Sequence, residues 1–129
     1  GFSYRRSGFT GKPLVILAGT FRLTPGDPAQ IRQTMAQLMA RRKASQPLEL
    51  PSAGSTFKRP VGGYAAQLIE QAGLKGYRVG GAAVSAKHAG FVVNLGGATE
   101  ADVLAVIHYV QQRVRETSGI TLEPEVIRL

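Results

Sequence analysis

Residues 99–119 spell out an amphipathic helix with both ends marked. Val103, Val106, Ile107, Val110 and Val114 recur at helical spacing and form one apolar stripe. Thr99 precedes the stripe as a cap, with Asp102 in a near capping box, and Gly119 follows as a stop. A helix with one such stripe must bury it against another element. Short apolar runs lie upstream. Tyr77-Arg78-Val79 and Ala82-Ala83-Val84 flank Gly80-Gly81, and Phe91-Val92-Val93-Asn94 ends at Gly96-Gly97. These read as strands. Tyr64 to Ala72 reads as a short helix stopped by Gly73.

Leu14 to Leu23 is rich in apolar, β-suited residues and reads as a strand, and Thr24-Pro25-Gly26 as a turn. Asp27 then caps a helix with Pro28 at its first position. Ile31, Met35, Leu38 and Met39 follow at helical spacing. Arg41, Arg42 and Lys43 close this helix, where positive charge complements its dipole. Residues 45–63 carry Pro47, Pro51 and Pro60 among small residues and read as a loop. That loop is the best boundary between two units, 1–45 and 46–129. Ile120 to Leu129 reads as a final strand, at a sheet edge because Pro124 interrupts it. Strand, helix, loop and then interleaved helices and strands make an α+β chain with a small mixed sheet.

A hydrophobic share of 43% rules out a disordered tail, and no apolar run reaches the ~18 residues that a membrane span needs. No cysteine is present, which excludes disulfides, thiolate zinc sites and a cysteine nucleophile. A net charge of +8 suits an anionic partner. A single-strand nucleic-acid binder would interleave aromatic with basic residues. Here aromatics are 7%, Trp is absent and the basic residues are spread out. Neither nucleic acid nor a membrane is therefore an expected partner. The chain opens at Gly1 without Met and reads as a piece of a longer protein; no secretory signal is seen and a cytoplasmic setting is expected.

Residue by residue, the candidate chemistry is modest. Gly54-Ser55-Thr56-Phe57-Lys58 is a small-residue turn with a hydroxyl and a cation, but it lacks the Walker A spacing. Gly80-Gly81 and Gly96-Gly97 lack the strand-to-helix frame of a dinucleotide fingerprint. His88 and His108 have no partners at metal-ligand spacing, so no metal is expected. Glu123 and Glu125 alternate on one face of the terminal segment, as a solvated edge would also require.

Taken in order, several segments carry more. They are Gly1-Phe2-Ser3-Tyr4-Arg5-Arg6-Ser7, Gln46-Pro47-Leu48, Pro51-Ser52-Ala53-Gly54-Ser55-Thr56-Phe57-Lys58 and Leu68-Ile69-Glu70. Ala72-Gly73-Leu74-Lys75-Gly76, Gly80-Gly81-Ala82-Ala83-Val84-Ser85, Lys87-His88-Ala89 and Leu122-Glu123-Pro124-Glu125-Val126 follow. This ordered set resembles the C-terminal part of the UDP-N-acetylenolpyruvoylglucosamine reductases, in the shorter variety of that family. The resemblance implies a reductase C-terminal domain preceded by a remnant strand and a helix of the flavin-binding unit. It implies an enzyme of peptidoglycan precursor synthesis in which NADPH reduces a bound FAD. Hydride then passes to the enolpyruvyl group of UDP-N-acetylglucosamine enolpyruvate, and UDP-N-acetylmuramate forms. By motif match, Ser55 is the proton donor, and Arg5 and Glu125 steady the charge near the substrate carboxylate. Lys75, Arg59 and Tyr4 would contact substrate, and Arg42 and Gly54 would lie at the flavin. For Arg42, a solvated helix end remains the competing reading.

Two departures stand out. The family usually has Lys-Asn-Pro where this chain has Lys58-Arg59-Pro60, and Glu-Val-Arg where it has Glu125-Val126-Ile127. Arg59 can still meet phosphate, whereas Ile127 supplies no cation. The resemblance also implies that most of the FAD-binding half lies elsewhere, so that this polypeptide alone neither holds FAD tightly nor catalyses reduction.

Overall fold

The computed structural model describes residues 1–3 and 6–127; Tyr4, Arg5, Arg128 and Leu129 lie outside the described residues. The elements, in order, are β1 (Phe2–Ser3), β2 (Arg6–Ser7), α1 (Pro28–Ser45), β3 (Ser52–Ser55), α2 (Ala65–Gln71), β4 (Arg78–Val79), β5 (Ala82–Val84), β6 (Phe91–Asn94) and α3 (Glu100–Ser118). The chain is α+β.

Helix α3 begins and ends where its sequence marks it. The Thr99 hydroxyl accepts from the Asp102 amide at 3.2 Å, and the Asp102 carboxylate accepts from the Thr99 amide at 2.9 Å. Two N-terminal amides thus gain partners. Gly119 ends the helix at φ 72°, a left-handed conformation. Val106, Ile107, Val110 and Val114 are buried, with Val103 packed beside them. Fully burying such a side chain contributes about 1.5–3 kcal/mol, so this stripe dominates the attachment of α3.

Its partner is a four-stranded sheet in the order β3-β6-β5-β4. Every pair is antiparallel, where a mixed sheet was expected. The reason is local: β4, β5 and β6 follow one another through short connections, and such connections reverse the chain. Between β4 and β5 the turn at Gly80-Gly81 admits no side chain. A Cβ on Gly81 would overlap the Ala98 and Gly96 backbone, and one on Gly80 the Asp102 carboxylate. This turn therefore docks directly onto the N-terminus of α3.

Pleating divides the sheet. Ala82, Val84 and Val92 face the helices and share one core with Ile69, Leu74 and Leu122. Ala83, Phe91 and Val93 face the other way, where they are buried in a second, smaller cluster with Leu50 packed against it. That second face is turned away from α2 and α3.

Three expectations need correction. Residues 14–23 pair with no strand among the described residues, and Val15, Leu17 and Phe21 stand 84%, 92% and 84% exposed. A strand is stabilised by a neighbour's backbone, and none is beside this segment. Residues 45–63 are not all loop, because β3 lies inside them. The segment from Ile120 is not a regular strand. It makes one bridge, Phe57 to Pro124, supported by the Lys58 amide on the Glu123 carbonyl at 2.8 Å and the Glu125 amide on the Thr56 carbonyl at 2.9 Å. Proline removes a donor from its ladder and holds the pairing to that short stretch.

Helix α1 is capped as expected, by the Asp27 carboxylate on the Ala29 amide at 2.9 Å. None of its residues is buried, and Ile31, Met35, Leu38 and Met39 are half-exposed or more.

Candidate functional site

The site grows from an irregularity in β3. Ser52 pairs with Val93 and Ser55 with Phe91, so two residues of β3, Ala53 and Gly54, stand opposite the single Val92 of β6. The extra residue is a β-bulge. In regular pleating Ser52 and Ser55 would point to opposite faces. The bulge returns Ser55 to the face of Phe91 and Val93, the one turned away from α2 and α3. Gly54 supplies the unusual backbone at φ 84°, with nothing within 4 Å of where a Cβ would stand. Its demand is therefore conformational rather than steric. The bulge also disrupts the ladder beside the Val92 amide. The buried Thr56 hydroxyl accepts from that amide at 3.0 Å, and the Thr56 amide donates to the Gly90 carbonyl at 2.8 Å.

Ser55 opens onto a cleft of about 550 Å³ lined by Arg42, Gln46, Pro47, Leu50, Gly54 and Phe91 among others. Arg42 comes from the last turns of α1. Its Nε donates to the Gln46 side-chain oxygen at 3.1 Å, and its carbonyl accepts from the Gln46 amide at 2.9 Å. The Ser55 hydroxyl donates to the Phe57 carbonyl at 3.5 Å, the outer limit of a hydrogen bond, so it is free to turn to a better acceptor. The cleft joins a cation, a hydroxyl, an open glycine backbone and an apolar floor. Such a lining suits a flat, partly polar ligand.

The other predicted residues are distributed around this centre. Glu125 lies across from Thr56 by its backbone bond and is exposed. Beside it, Lys58 makes an ion pair with Glu123. The hydrogen bond from Glu123 holds the Lys58 ammonium above the ordinary lysine range, with the charges of Glu123 and Glu125 adding to it. Arg59 stacks its guanidinium 4.1 Å from the centre of the Tyr64 ring, and its Nε donates to the Gly63 carbonyl at 3.3 Å. Lys58 and Arg59 line a separate cleft of about 410 Å³ with Pro60, Thr121 and Glu123. Lys75 is paired with Glu70 at 2.6 Å and lines neither cleft. Tyr4 and Arg5 lie outside the described residues.

Reasoning from sequence passed over Gln46, which orients Arg42, and Thr56, which repairs the bulge. The four-residue spacing of Arg42 and Gln46 on one helix face was the available signal for the first. Nothing local marks Thr56.

Comparison with known proteins gives this arrangement a family. Residues 46–129 match the model of the UDP-N-acetylenolpyruvoylglucosamine reductase C-terminal domain. The chain belongs to the UDP-N-acetylenolpyruvoylglucosamine reductase family. It is 55% identical over 125 residues to the reductase of that name from Levilactobacillus brevis, covering 97% of this chain and 41% of the relative. It is 54% identical to the one from Exiguobacterium sibiricum, over 95% of this chain and 40% of the relative. Among solved structures it is similar to the reductase of this family from Thermus caldophilus, with a TM-score of 0.64, 39% identity, and coverage of 83% of this chain and 38% of that one. The chain thus spans about two fifths of the length of the reductase-family relatives it matches. No helix among the described residues is long and apolar enough to cross a membrane.

Proposed function

We propose that this chain is the substrate-binding, proton-delivering part of an FAD- and NADPH-dependent reductase that turns UDP-N-acetylglucosamine enolpyruvate into UDP-N-acetylmuramate for peptidoglycan synthesis in the cytoplasm. The observation that carries this reading is the meeting of Arg42, from the end of α1, with Gly54 and Ser55 of β3 around one cleft. In this reading residues 1–45 are the end of the FAD-binding unit plus a connecting helix. Residues 46–129 form the substrate unit, and the rest of the FAD-binding half completes the site.

The cleft fits the edge of a flavin. The absence of any atom within 4 Å of a Cβ at Gly54 lets a ring lie against bare backbone, and Arg42 offers charged donors to a polar ring edge. A flavin held there by Arg42 and the Gly54 backbone would supply the hydride for the enol ether. Ser55 holds the proton that the adjacent carbon then takes. A serine is a poor acid in water, so its hydroxyl must act at short range on a strongly basic carbon. Its weak internal hydrogen bond leaves it available for that. Negative charge builds toward the substrate carboxylate between the two transfers, and Arg5 and Glu125 act there as cation and hydrogen-bonding partner. Lys75, Arg59 and Tyr4 bind the UDP-sugar, the first two as phosphate partners. The stacking of Arg59 on Tyr64 directs a guanidinium to where the family usually has an asparagine.

The test is a thermal melt of this chain with UDP-N-acetylglucosamine, with and without FAD. A ligand at a hundred times its dissociation constant stabilises the folded form by about 2.7 kcal/mol. A dose-dependent rise supports a preformed substrate site. In the full-length protein, Ser55→Ala should lower kcat by about 10²–10⁴-fold, the usual range for a lost proton donor, while NADPH still reduces the flavin. Unchanged kcat would remove Ser55 from the mechanism.

A further inference from the structure

The six residues between α1 and β3 form a strap across the sheet face turned away from α2 and α3, and its seat decides where Arg42 stands. At its start, the Gln46 amide and side-chain oxygen both bond Arg42, at 2.9 Å and 3.1 Å. At its end, the Pro51 carbonyl accepts from the Asn94 amide of β6 at 2.9 Å. Between these points Pro47 is buried and Leu50 packs against the Ala83, Phe91 and Val93 cluster. A space of about 240 Å³ lies beneath it, lined by Pro47, Leu50, Ala83, Val93 and Leu95 among others. Apolar packing thus covers only part of the strap's underside.

One polar side-chain contact ties the strap to the sheet unit among the described residues. Lys87 Nζ stands 3.4 Å and 3.5 Å from the two carboxylate oxygens of Glu49. The far side of this contact is firmly held. Lys87 lies in the β5–β6 connection, where the buried Ser85 hydroxyl accepts from the Lys87 amide at 3.1 Å and the His88 amide at 3.2 Å. The near side is prepared too. The Glu49 carboxyl is held below the ordinary glutamate range, first by its own backbone amide and then by Lys87.

We infer that Glu49 and Lys87 are positioning residues: their ion pair seats the strap and, through Gln46, holds the Arg42 guanidinium at the cleft beside Ser55. This inference rests on the reading of Arg42 as a flavin contact. The pinned β5–β6 connection holds Glu49 through Lys87, the backbone of Leu48 and Pro47 links Glu49 to Gln46, and Gln46 bonds Arg42. Neither Glu49 nor Lys87 lines the cleft itself. The pair is partly exposed, at 34% and 60% for the two side chains, so its effect is graded rather than absolute.

The test uses the full-length protein and reads the FAD dissociation constant from flavin fluorescence. The variants are Glu49→Gln, Lys87→Met, the two combined, the exchange Glu49→Lys with Lys87→Glu, and Arg42→Ala as reference. An exposed ion pair contributes little, so each single variant should weaken FAD binding by up to about fivefold. The combined variant should be no weaker than either single one, the exchange should recover much of the loss, and Glu49→Gln should have no further effect once Arg42 is alanine. A Glu49→Gln effect that is absent, or equal with and without Arg42, overturns the positioning role. If Arg42→Ala itself leaves FAD binding unchanged, the flavin reading of Arg42 fails, and the inference falls with it for that separate reason.

Discussion

Replacing Gly54 by alanine isolates what the bulge contributes. Nothing lies within 4 Å of the new Cβ, so no clash enters the reckoning. What remains is the backbone at φ 84°, a conformation that costs an L-residue about 1–2 kcal/mol. Urea denaturation of this chain should therefore show Gly54→Ala destabilised by about 1–2 kcal/mol at unchanged slope. Gly54→Asn should lose less, because asparagine tolerates left-handed backbone. The chain has one way to escape the strain, which is to surrender the bulge. Regular pleating would then turn Ser55 toward the helix-covered face. In the full-length protein, Gly54→Ala should accordingly slow turnover beyond what the stability loss explains, in the same direction as Ser55→Ala. A Gly54→Ala chain as stable as the parent would refute the conformational argument. A destabilised one with full turnover would refute the link between the bulge and the aim of Ser55.

Two further expectations concern the scaffold. Ile69 is fully buried among α2, α3 and the sheet, so Ile69→Ala should cost about 2–5 kcal/mol by urea denaturation, and a loss below about 1 kcal/mol would mean the core collapses around the gap. The Asp102 carboxyl is held below the ordinary aspartate range, chiefly by the Thr99 amide and with help from the Gly81 amide. A group whose folded value is depressed contributes stability above the unfolded value, about 3.9, and loses it as pH falls through the folded value. Urea midpoints between pH 2 and 6 should therefore drop less steeply for Asp102→Asn than for the parent, and parallel profiles would exclude Asp102 as a source of acid sensitivity.

Legibility from sequence followed how local each element's causes are. Helix α3 was readable throughout, because its stripe, capping box and terminal glycine are all local. So were the caps of α1 and the paired runs of β5 and β6. Strand β3 was hidden. Ser52-Ala53-Gly54-Ser55 has no β-branched residue and no alternation, and it becomes a strand only because β6 lies beside it. Residues 14–23 show the reverse, with good strand composition and no neighbour. The site was partly legible. Ser55, Gly54 and Arg42 came from family resemblance, whereas taken singly they read as a turn and a helix end. Their meeting at one cleft depends on the strap and the bulge. The Lys58–Glu123 pair depends on a contact across 65 residues, which no local pattern announces.

That last contact governs when the fold can finish. Residues 56–58 follow directly on the bulge, and apart from the Thr56 amide on Gly90 their backbone bonds go to residues 123–125. On the ribosome, β3 to β6 emerge well before the segment that bonds beside them, so that flank of the young sheet stays open until synthesis passes Glu125. An open flank is a template for pairing with another chain. Residues 123–125 therefore close off the route to misassembly, and a chain cut before Glu123 would leave that route open.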